Sequence, residues 1–299
     1  MDLFNLPRND GFWVYYPNTT GTTSTNQWQT WQKPKNCKFV HIFAIGGGAG
    51  GAGGVSGTAS TTRNGGGGGA GSTASFGLFQ ASVLPDILTI LVGSGGLGGT
   101  ANTNGSPGST SYVSFDCSLT ITNIILASGN PSFVAAAGTS STGLGGTAGS
   151  VFTSANGLIS NFGLIDTMPG SIGAPSNGSL TPPGLTSGGA GGGTATNVGG
   201  NNNGGSINAT TFSPLISGGI SAGFIQGSKG ICTSLPNVGL GKSGPTVFTG
   251  GSGGASLSSG SGGAGGYGSY GCGGAGGGGG TTGGSGGNGG GGLVIITAW

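Results

Sequence analysis

Charged residues are almost absent from this sequence. Its 299 residues include seven Lys or Arg and five Asp, with no Glu, so that only 4% of the chain is charged. Soluble domains usually carry about 25% charged residues. The only basic cluster, Lys33, Lys35 and Lys38, is too small for the positive stripe with which a protein follows a phosphate backbone. The sequence therefore predicts no nucleic-acid partner.

Long apolar runs and helical patterns are also missing. No run approaches the roughly 20 apolar residues of a transmembrane helix, and the start, MDLFNLPRNDGFW, lacks the regions of a signal peptide. We therefore expect no membrane insertion. Collagen is excluded because the glycines keep no sustained G-x-y register and only 13 prolines are present. No window shows a helical apolar period with caps, so α-helices are not predicted.

Metal-ligating side chains are scarce. The four cysteines, Cys37, Cys117, Cys232 and Cys272, lie far apart, and His41 is the only histidine. A zinc site needs about four clustered ligands, and the sequence has no C-x-x-C pair. We therefore expect no metal site. We interpret the cysteines as free, buried thiols, with a disulfide framework as the weaker alternative.

Catalytic arrangements have little support. A Ser/His/Asp site would depend on His41, which falls within a strand-like apolar run. A pair of catalytic carboxylates would need two of the five aspartates to converge. Asp86 follows a proline in a predicted turn, and the remaining acids are interpreted as solvated loop residues: Asp2, Asp10, Asp116 and Asp166. We therefore predict that the protein is not an enzyme.

Two glycine motifs resemble nucleotide-binding loops. Gly46, Gly48 and Gly51 spell G-x-G-x-x-G, but a dinucleotide site needs a helix after the glycines and an acid about 20 residues later. The sequence that follows supplies neither. The stretch from Pro236 to Gly244 resembles a P-loop, with proline in place of the first glycine, and its Lys242 is interpreted as a solvated charge. We predict no cofactor and a structural role for the glycines.

Apolar runs of strand length are what the sequence does contain. The run Lys38–Ile45 is apolar on both alternating faces, which predicts a strand buried on both sides. The turn at Pro85 precedes another such run. Further strands are predicted at Ile87–Val92, within Ser111–Ala127, over the last seven residues LVIITAW, and near Trp13, Tyr15, Tyr16, Trp28 and Trp31.

Glycine is abundant, with 79 copies. Disorder usually goes with low hydrophobicity and high net charge, whereas here 33% of residues are hydrophobic and the net charge is +2. We therefore predict a folded chain rather than a flexible linker. The glycine tracts recur without a fixed period at Gly46–Gly54, Gly65–Gly71, Gly93–Gly99, Gly188–Gly193, Gly199–Gly205 and Gly250–Gly292.

The main chain must supply the cohesion of these tracts, because glycine buries no side chain. In a polyproline II helix the N–H and C=O groups point outward. Without Cβ atoms, several such chains can lie together and bond to each other. We therefore predict an all-β fold in which a short-stranded β-sheet module is combined with a polyglycine II (PPII-like) helix bundle.

The order of these features along the chain is similar to that of a known protein family. Trp28, Trp31 and Pro34 precede a strand ending in AIGGGAGGAGG, then come LPDILTILVGSGGLGG, long glycine tracts and a terminal GGGGLVIITAW. From Trp28 to Trp299 this order resembles the glycine-rich domain of tailed-phage virion proteins of the tail fibre and adhesin type. The resemblance implies a packed polyglycine II core with exposed loops, and a role in host attachment or virion structure. Few residues precede the domain, which favours a small virion or filament subunit.

We divide the chain into an N-terminal attachment segment with short strands, residues 1–36, and a glycine-rich domain, residues 37–299. We expect a non-enzymatic viral structural protein, located in the virion, that binds a host surface receptor through loops between glycine tracts. The low net charge favours association. The expected partners are other copies of the chain, a trimer by analogy with fibres, and other virion proteins.

Two alternatives belong to other classes. The first is a subunit of an extracellular filament or matrix, joined through strand edges. The second is an ice-binding protein. A regular tripeptide spacing would favour that function, and the glycine tracts lack such a spacing. Tyr267 and Tyr270 lie among glycines, where they suit either recognition or padding of the packed core. No receptor-binding residue is assigned from the sequence.

Overall fold

A computed structural model of the chain shows strands and extended glycine segments, with no α-helix among the described residues. In the part of the chain that the structure describes, the only helical element is a short 3₁₀ turn at Ala81–Val83. No described helix is long and apolar enough to cross a membrane. The structure describes residues 11–18, 27–119, 123–128, 141–147, 163–168, 170–182, 185–210, 213–234 and 245–299.

Eleven strands form in these ranges, and all of their pairings are antiparallel. One sheet has the order β1-β11-β3-β4-β8, a second has the order β2-β5-β6-β7, and β9 pairs with β10 alone. Their bounds are β1 Gly11–Tyr15, β2 Gln29–Gln32, β3 Phe39–Ile45, β4 Ala74–Gln80, β5 Ile87–Leu91, β6 Ser111–Ser114, β7 Ile124–Ser128, β8 Gly163–Met168, β9 Cys232–Ser234, β10 Pro245–Phe248 and β11 Leu293–Ala298.

The hydrophobic core lies between the five-stranded and four-stranded sheets. Val40 and Ile42 of β3 and Ile296 of β11 belong to one buried cluster with Leu88 and Ile90 of β5. The period-two alternation of strands directs these side chains to one face. The cluster also includes Trp31 of β2, so both early strands join sheets of the later chain, β1 through β11 and β2 through β5.

The predicted strands are confirmed in position, with one correction. The strands β3, β5, β6, β7 and β11 lie where the apolar runs predicted them. However, β3 is buried on one face only, because Phe39 is 39% exposed and His41 and Phe43 are half-buried. The prediction did not assign β4, β8, β9 or β10, whose sequences lack a long uninterrupted apolar run. The division at residue 36 stays a prediction.

Several strands continue directly into glycine segments. After β3 the chain enters residues 46–55, and residues 64–72 lead into β4. In the same way β5 leads into residues 93–100, and residues 282–292 lead into β11. The sheets therefore fix where these segments begin and end. We call the described residues of 46–72, 93–110, 170–231 and 249–292 the glycine region.

Backbone hydrogen bonds in the glycine region follow a three-residue rotation. Along 47–55, successive N–H groups donate in turn to three neighbouring segments. Gly48, Gly51 and Gly54 all donate to the segment 282–292, and the N–H groups between them donate to 103–109 and 64–70. Each step of three residues thus returns the chain to the same neighbour, although no assigned strand is formed.

The segment 271–280 is surrounded on all sides. From Gly273 to Gly280 its N–H groups donate to residues of 187–193, 49–55 and 263–266, and from Gly271 to Gly279 its carbonyls accept from 284–290, 66–72 and 251–257. All ten of its residues are buried. This segment is therefore held almost entirely by main-chain bonds to six neighbours, while apolar side chains hold the sheets together.

Close approach of the segments explains the glycines. A Cβ added to Gly276 would lie 1.8 Å from the carbonyl oxygen of Gly66, and one on Gly274 would lie 2.0 Å from that of Gly287. Both contacts are with backbone, which cannot move aside. Alanine is found only where the spacing allows it, as at the fully buried Ala275. The tracts thus need glycine for space rather than for unusual backbone angles.

Candidate binding surfaces

The direction of the segments places one group of loops away from the sheets. Hydrogen bonds from 274 to 49, 277 to 52 and 280 to 55 show that 271–280 runs parallel to 47–55. The bonds from 273 to 187, 276 to 190 and 279 to 193 place 187–193 in the same direction. These segments start near the strands, so residues 55, 193 and 280 mark the opposite end. We call this the far end.

A turn at Ile220–Phe224 presents the most exposed large apolar side chain. The Phe224 side chain is 91% exposed and that of Ile220 is 49% exposed. The turn is closed by the N–H of Ile220, which donates to the Phe224 carbonyl at 2.6 Å, and by the N–H of Gly223, which donates to the Ile220 carbonyl at 3.0 Å. An ordered turn therefore holds Phe224 in solvent, where no described residue buries it.

A second far-end turn carries Val198, which is 87% exposed. Its ends are joined because the N–H of Thr196 donates to the Gly200 carbonyl at 2.9 Å, while the Gly200 N–H donates to the Thr196 hydroxyl at 2.9 Å. The two turns are connected through Asn203, whose Oδ1 accepts from the N–H of Ser221 at 3.0 Å. The far end therefore presents exposed apolar side chains on turns that are closed by hydrogen bonds.

A shallow groove lies along one side of the glycine region. Its volume is about 370 Å³, and its lining includes Gln226, Lys229, Ala264, Tyr267 and Ser285. The Lys229 Nζ lies 5.4 Å from the centre of the Tyr267 ring, and that ring is 48% exposed. This pairing of an aromatic face and a cation on an open surface is suited to contact with another molecule.

Outward-facing residues beside this groove keep a three-residue spacing. Thr282, Ser285 and Asn288 are exposed, and the glycines between them are buried. The same spacing brings Leu97 and Thr100 to the surface of the neighbouring segment. The expectation that the tracts lack a tripeptide spacing is therefore wrong for this face, because the three-residue rotation of the backbone imposes one.

The two tyrosines singled out in the sequence have different surroundings. Tyr267 borders the groove, as described above. Tyr270 stacks against Tyr16, with ring centres 5.7 Å apart, and its edge contacts Phe248, at 6.0 Å. Tyr270 therefore packs at the junction between the sheets and the glycine region, whereas the Tyr267 ring is exposed and can contact a partner.

The scarce nucleophiles and metal ligands are dispersed. Cys37, Cys117 and Cys272 form no disulfide. Of these three only Cys272 is buried, so the expectation of burial is wrong for Cys117, which is exposed, and for Cys37, which is half-buried. Cys232 lies in β9. His41 is half-buried in β3, and burial lowers its pKa. Within the described ranges, no three His, Cys, Asp or Glu residues lie close enough to hold a metal ion.

The G-x-G-x-x-G glycines are engaged with neighbouring segments. The Gly46 N–H donates to the Ser128 hydroxyl, and the N–H groups of Gly48 and Gly51 donate to the carbonyls of Gly290 and Gly287. These amides are therefore committed to protein acceptors and no helix follows them among the described residues. The stretch from 236 to 244 that resembles a P-loop lies outside the described residues.

The described aspartates lie apart from one another, on or beside the strands. Asp86 pairs with Lys33 at 3.1 Å, and the Lys33 ammonium also donates to the carbonyls of Ala81 and Leu84. Sequence reasoning assigned Asp86 to a turn and missed this contact. Asp116 accepts from the Asn123 amide and the Ser118 N–H. Asp166 is exposed in β8.

Sequence reasoning did not single out Phe224, Ile220 or Val198. The available signal was the presence of isolated large apolar residues within NVGGNNN and GGISAGFIQG. Other isolated apolar residues of the same region take the opposite course, because Ile207 and Ile216 are buried in a small cluster with Leu180. The pattern therefore indicates candidates for exposure, and the structure shows which of them are exposed.

Comparison with known protein families gives a matching family model. A family model described as a glycine-rich domain matches residues 22–299. No curated protein matches the chain. The match covers the strands from β2 onward and the whole of the glycine region.

Proposed function

Since this chain belongs to the glycine-rich domain family, we propose that it is a non-enzymatic structural protein of a virion. It is a tail fibre or adhesin component that binds the host surface through the far-end loops, and its glycine region is a polyglycine II bundle. The observation that carries this proposal is the display of Phe224 and Val198 on ordered turns at the end opposite the sheets.

The backbone geometry supports the polyglycine II part of the proposal. A polyproline II helix has three residues per turn, which matches the three-residue rotation of hydrogen-bond partners along 47–55. Among the described glycines, only Gly143, Gly199 and Gly271 have positive φ, so the rest are compatible with this left-handed helix. At a rise of about 3.1 Å per residue, the segment 272–280 spans about 25 Å. The far-end loops therefore stand well away from the sheets.

Exposed apolar side chains support a role in recognition. Functional residues are concentrated in loops that a rigid scaffold positions, and exposed apolar surface marks sites of interaction. The backbone scaffold does not depend on loop side chains, so the far-end turns can change without disturbing the packing below them. A host-binding protein benefits from this separation of scaffold and recognition.

The outer face of the five-stranded sheet supports self-association. Phe12 of β1 is 53% exposed, and Leu164 and Met168 of β8 are 78% and 46% exposed. These side chains flank the half-buried Phe43 and Phe76 on the same face. We place the contact between copies of the chain here, with a trimer by analogy with fibres. The same face is what favours the alternative of an extracellular filament subunit.

Electron microscopy of the native source tests the proposal. Particles are purified, the stoichiometry of this chain is measured by mass spectrometry, and an antibody against it is used for immunogold labelling. We expect the label on the tails of phage particles in fixed copy number. Label on free fibrils without virions would favour the filament alternative and reject the viral one.

The recognition surface is tested separately once the host is known. Purified protein is expected to compete with the particle for host cells. The double variant Phe224→Ser and Val198→Ser should lose this competition while its thermal stability remains unchanged, because neither side chain is buried. Leu97→Ser, at a 65% exposed position on the side of the glycine region, is the matched control and should compete as well as the parent protein.

A further inference from the structure

Arg63 is a fully buried cation in a region almost without charge. Its side chain is 0% exposed. Its Nε donates to the Thr61 carbonyl at 3.1 Å, but Nη1 and Nη2 are buried and have no hydrogen-bond partner. Apart from Lys229 at the surface, no other charged residue occurs in the glycine region. Two donor groups of a permanent cation are thus left unsatisfied.

Burial of an unpaired guanidinium is strongly unfavourable. Arginine does not lose its proton in proteins, and a buried charge needs a partner that replaces its lost hydration. The chain has no Glu, and the described aspartates are in the sheets or the loops beside them. Asp86 pairs with Lys33, Asp116 is bonded to Asn123, and Asp166 lies in β8. None of these described carboxylates is the partner of Arg63.

The backbone holds Arg63 rigidly at the far end. Its N–H donates to the Ala195 carbonyl at 2.9 Å, and its own carbonyl accepts from the Ala195 N–H at 3.0 Å. Gly57 lies beside the aliphatic stem, because a Cβ there would be 3.2 Å from the Arg63 Cγ and 3.1 Å from the Thr61 Oγ1. The stem is therefore fixed, and the two free nitrogens have a defined position.

We propose that the Arg63 guanidinium binds a small oxyanion, such as phosphate or sulfate, within the far end of the protein. The terminal nitrogens of arginine form a fork that matches two oxygens of one oxyanion. The oxyanion supplies both the missing acceptors and the missing negative charge. The proposal does not depend on the viral role of the protein.

The burial of Arg63 has a kinetic consequence. Thr61 is tied back to Thr58, since its N–H donates to the Thr58 carbonyl at 3.1 Å and its hydroxyl donates there at 2.9 Å. An ion can reach a side chain without solvent exposure only if this turn opens or if the ion is taken up during folding. We therefore expect slow exchange of the ion and a far-end loop that is ordered by it.

Arginine-selective NMR tests the binding directly. The chain contains two arginines, Arg8 and Arg63, so a ¹⁵N-arginine sample gives two sets of side-chain signals, which the variant Arg8→Lys assigns. After removal of anions by refolding in a fluoride buffer, phosphate is added up to about 10 mM, which covers millimolar affinities. We expect saturable changes in the Arg63 signals and none in those of Arg8. No change with either phosphate or sulfate would overturn the proposal.

Thermal unfolding gives an independent measurement. A ligand that binds only the folded protein raises the free energy of unfolding. Once the ligand concentration exceeds the dissociation constant, this increase grows with the logarithm of the concentration. We expect about 10 mM phosphate to raise the Tm by about 3 °C or more at constant ionic strength. The variant Arg63→Met, which keeps an aliphatic stem, should lose this response. The control Lys38→Gln, which removes an exposed charge beside the sheets, should keep it.

The remaining outcomes are decisive as well. An equal rise in Tm for the parent protein and Arg63→Met would show general salt stabilisation and overturn the proposal. A response of the Arg63 signals to chloride but not to oxyanions would overturn the assignment to an oxyanion. If Arg63→Met does not fold, the NMR titration of the parent protein decides the question alone.

Discussion

The sheets and the glycine region solve the problem of burial in different ways. In the sheets, Leu88 and Ile42 are fully buried and pack in one apolar cluster. In the glycine region, Gly276 is just as buried but offers only its main chain, which donates to Ala190 and is approached by Gly66. The first region gains from removing apolar surface from water. The second gains from a dense set of hydrogen bonds between main-chain groups at close range.

The glycine region depends on the sheets for its stability. A glycine loses more conformational entropy on folding than other residues, and a net backbone hydrogen bond contributes only about 1 kcal/mol. A free glycine segment is therefore expected to stay unfolded. The strands that run directly into segments such as 46–55 and 282–292 fix their ends, so that the cost of bringing these segments together is offset by the hydrophobic core.

The largest expected effect comes from one added methyl group at the centre of the glycine region. Gly276→Ala would place a Cβ 1.8 Å from the Gly66 carbonyl oxygen, which requires two backbone segments to separate. We expect a loss of about 4 kcal/mol or more in the free energy of unfolding, measured by urea denaturation.

The neighbouring substitution Ala275→Gly is the matched control. It changes the same number of atoms in the opposite direction and causes no clash. We expect it to cost only about 1 to 2 kcal/mol, from the lost methyl burial and the added chain entropy. If the two variants were equally stable, close backbone packing would not be what holds this region together.

A cavity in the sheets should have the next largest effect. Leu88 is fully buried between the sheets, so Leu88→Ala is expected to cost about 3 kcal/mol by lost burial and cavity formation. Chemical denaturation measures the loss. Because the sheets anchor the segments, we also expect hydrogen exchange to accelerate in 271–280, and unchanged protection there would show that the glycine region is stable by itself.

A glycine outside the packed segments should behave in the opposite way to Gly276. No atom lies within 4 Å of a Cβ added to Gly223, and its φ is not positive. Gly223→Ala should therefore be neutral or stabilise the protein by about 0.5 kcal/mol, through the lower entropy of the unfolded chain. Thermal unfolding compared with Gly276→Ala measures the contrast, and a large loss at Gly223 would contradict it.

The smallest expected effect is the titration of His41. Burial lowers its pKa from the ordinary value of 6.5, so the unfolded chain binds the proton more readily than the folded protein does. Stability is therefore complete above about pH 6.5 and decreases as the pH falls toward the folded-state pKa. His41→Gln should remove this decrease, as seen in the Tm measured between pH 7 and pH 5. Unchanged pH dependence in the variant would assign the effect to another group.

Much of the sheet module could be predicted from the sequence. The strands β3, β5 and β11 are dense apolar runs, and such runs are informative because side-chain burial drives their formation. The half-exposure of Phe39 and Phe43 could not be predicted, because apolar residues on both faces do not show whether anything covers the second face. The strand β8 was missed because its sequence, GLIDTM, is short and interrupted by Asp166.

The sequence predicted that loops form the candidate binding surface, but not which loops. Loops between glycine tracts were expected to carry recognition, but the sequence did not separate the far-end turns from the turns beside the sheets. That separation depends on the direction in which each segment runs. The sequence around Phe224 and Val198 does not show this direction. The burial of Arg63 could not be predicted either, because an arginine that follows a polar stretch such as TASTT is ordinarily exposed.

The dense apolar strands and the backbone packing of the glycine tracts could be predicted from the amino-acid order, because apolar runs, glycine tracts and missing charges are visible there. Which segments are neighbours, in which direction each runs and which side chains reach the far end are properties of the folded chain. Glycines that bond through identical main-chain groups carry no preference for one partner over another, so the strands, the turns and the few positions that admit a Cβ must select the arrangement.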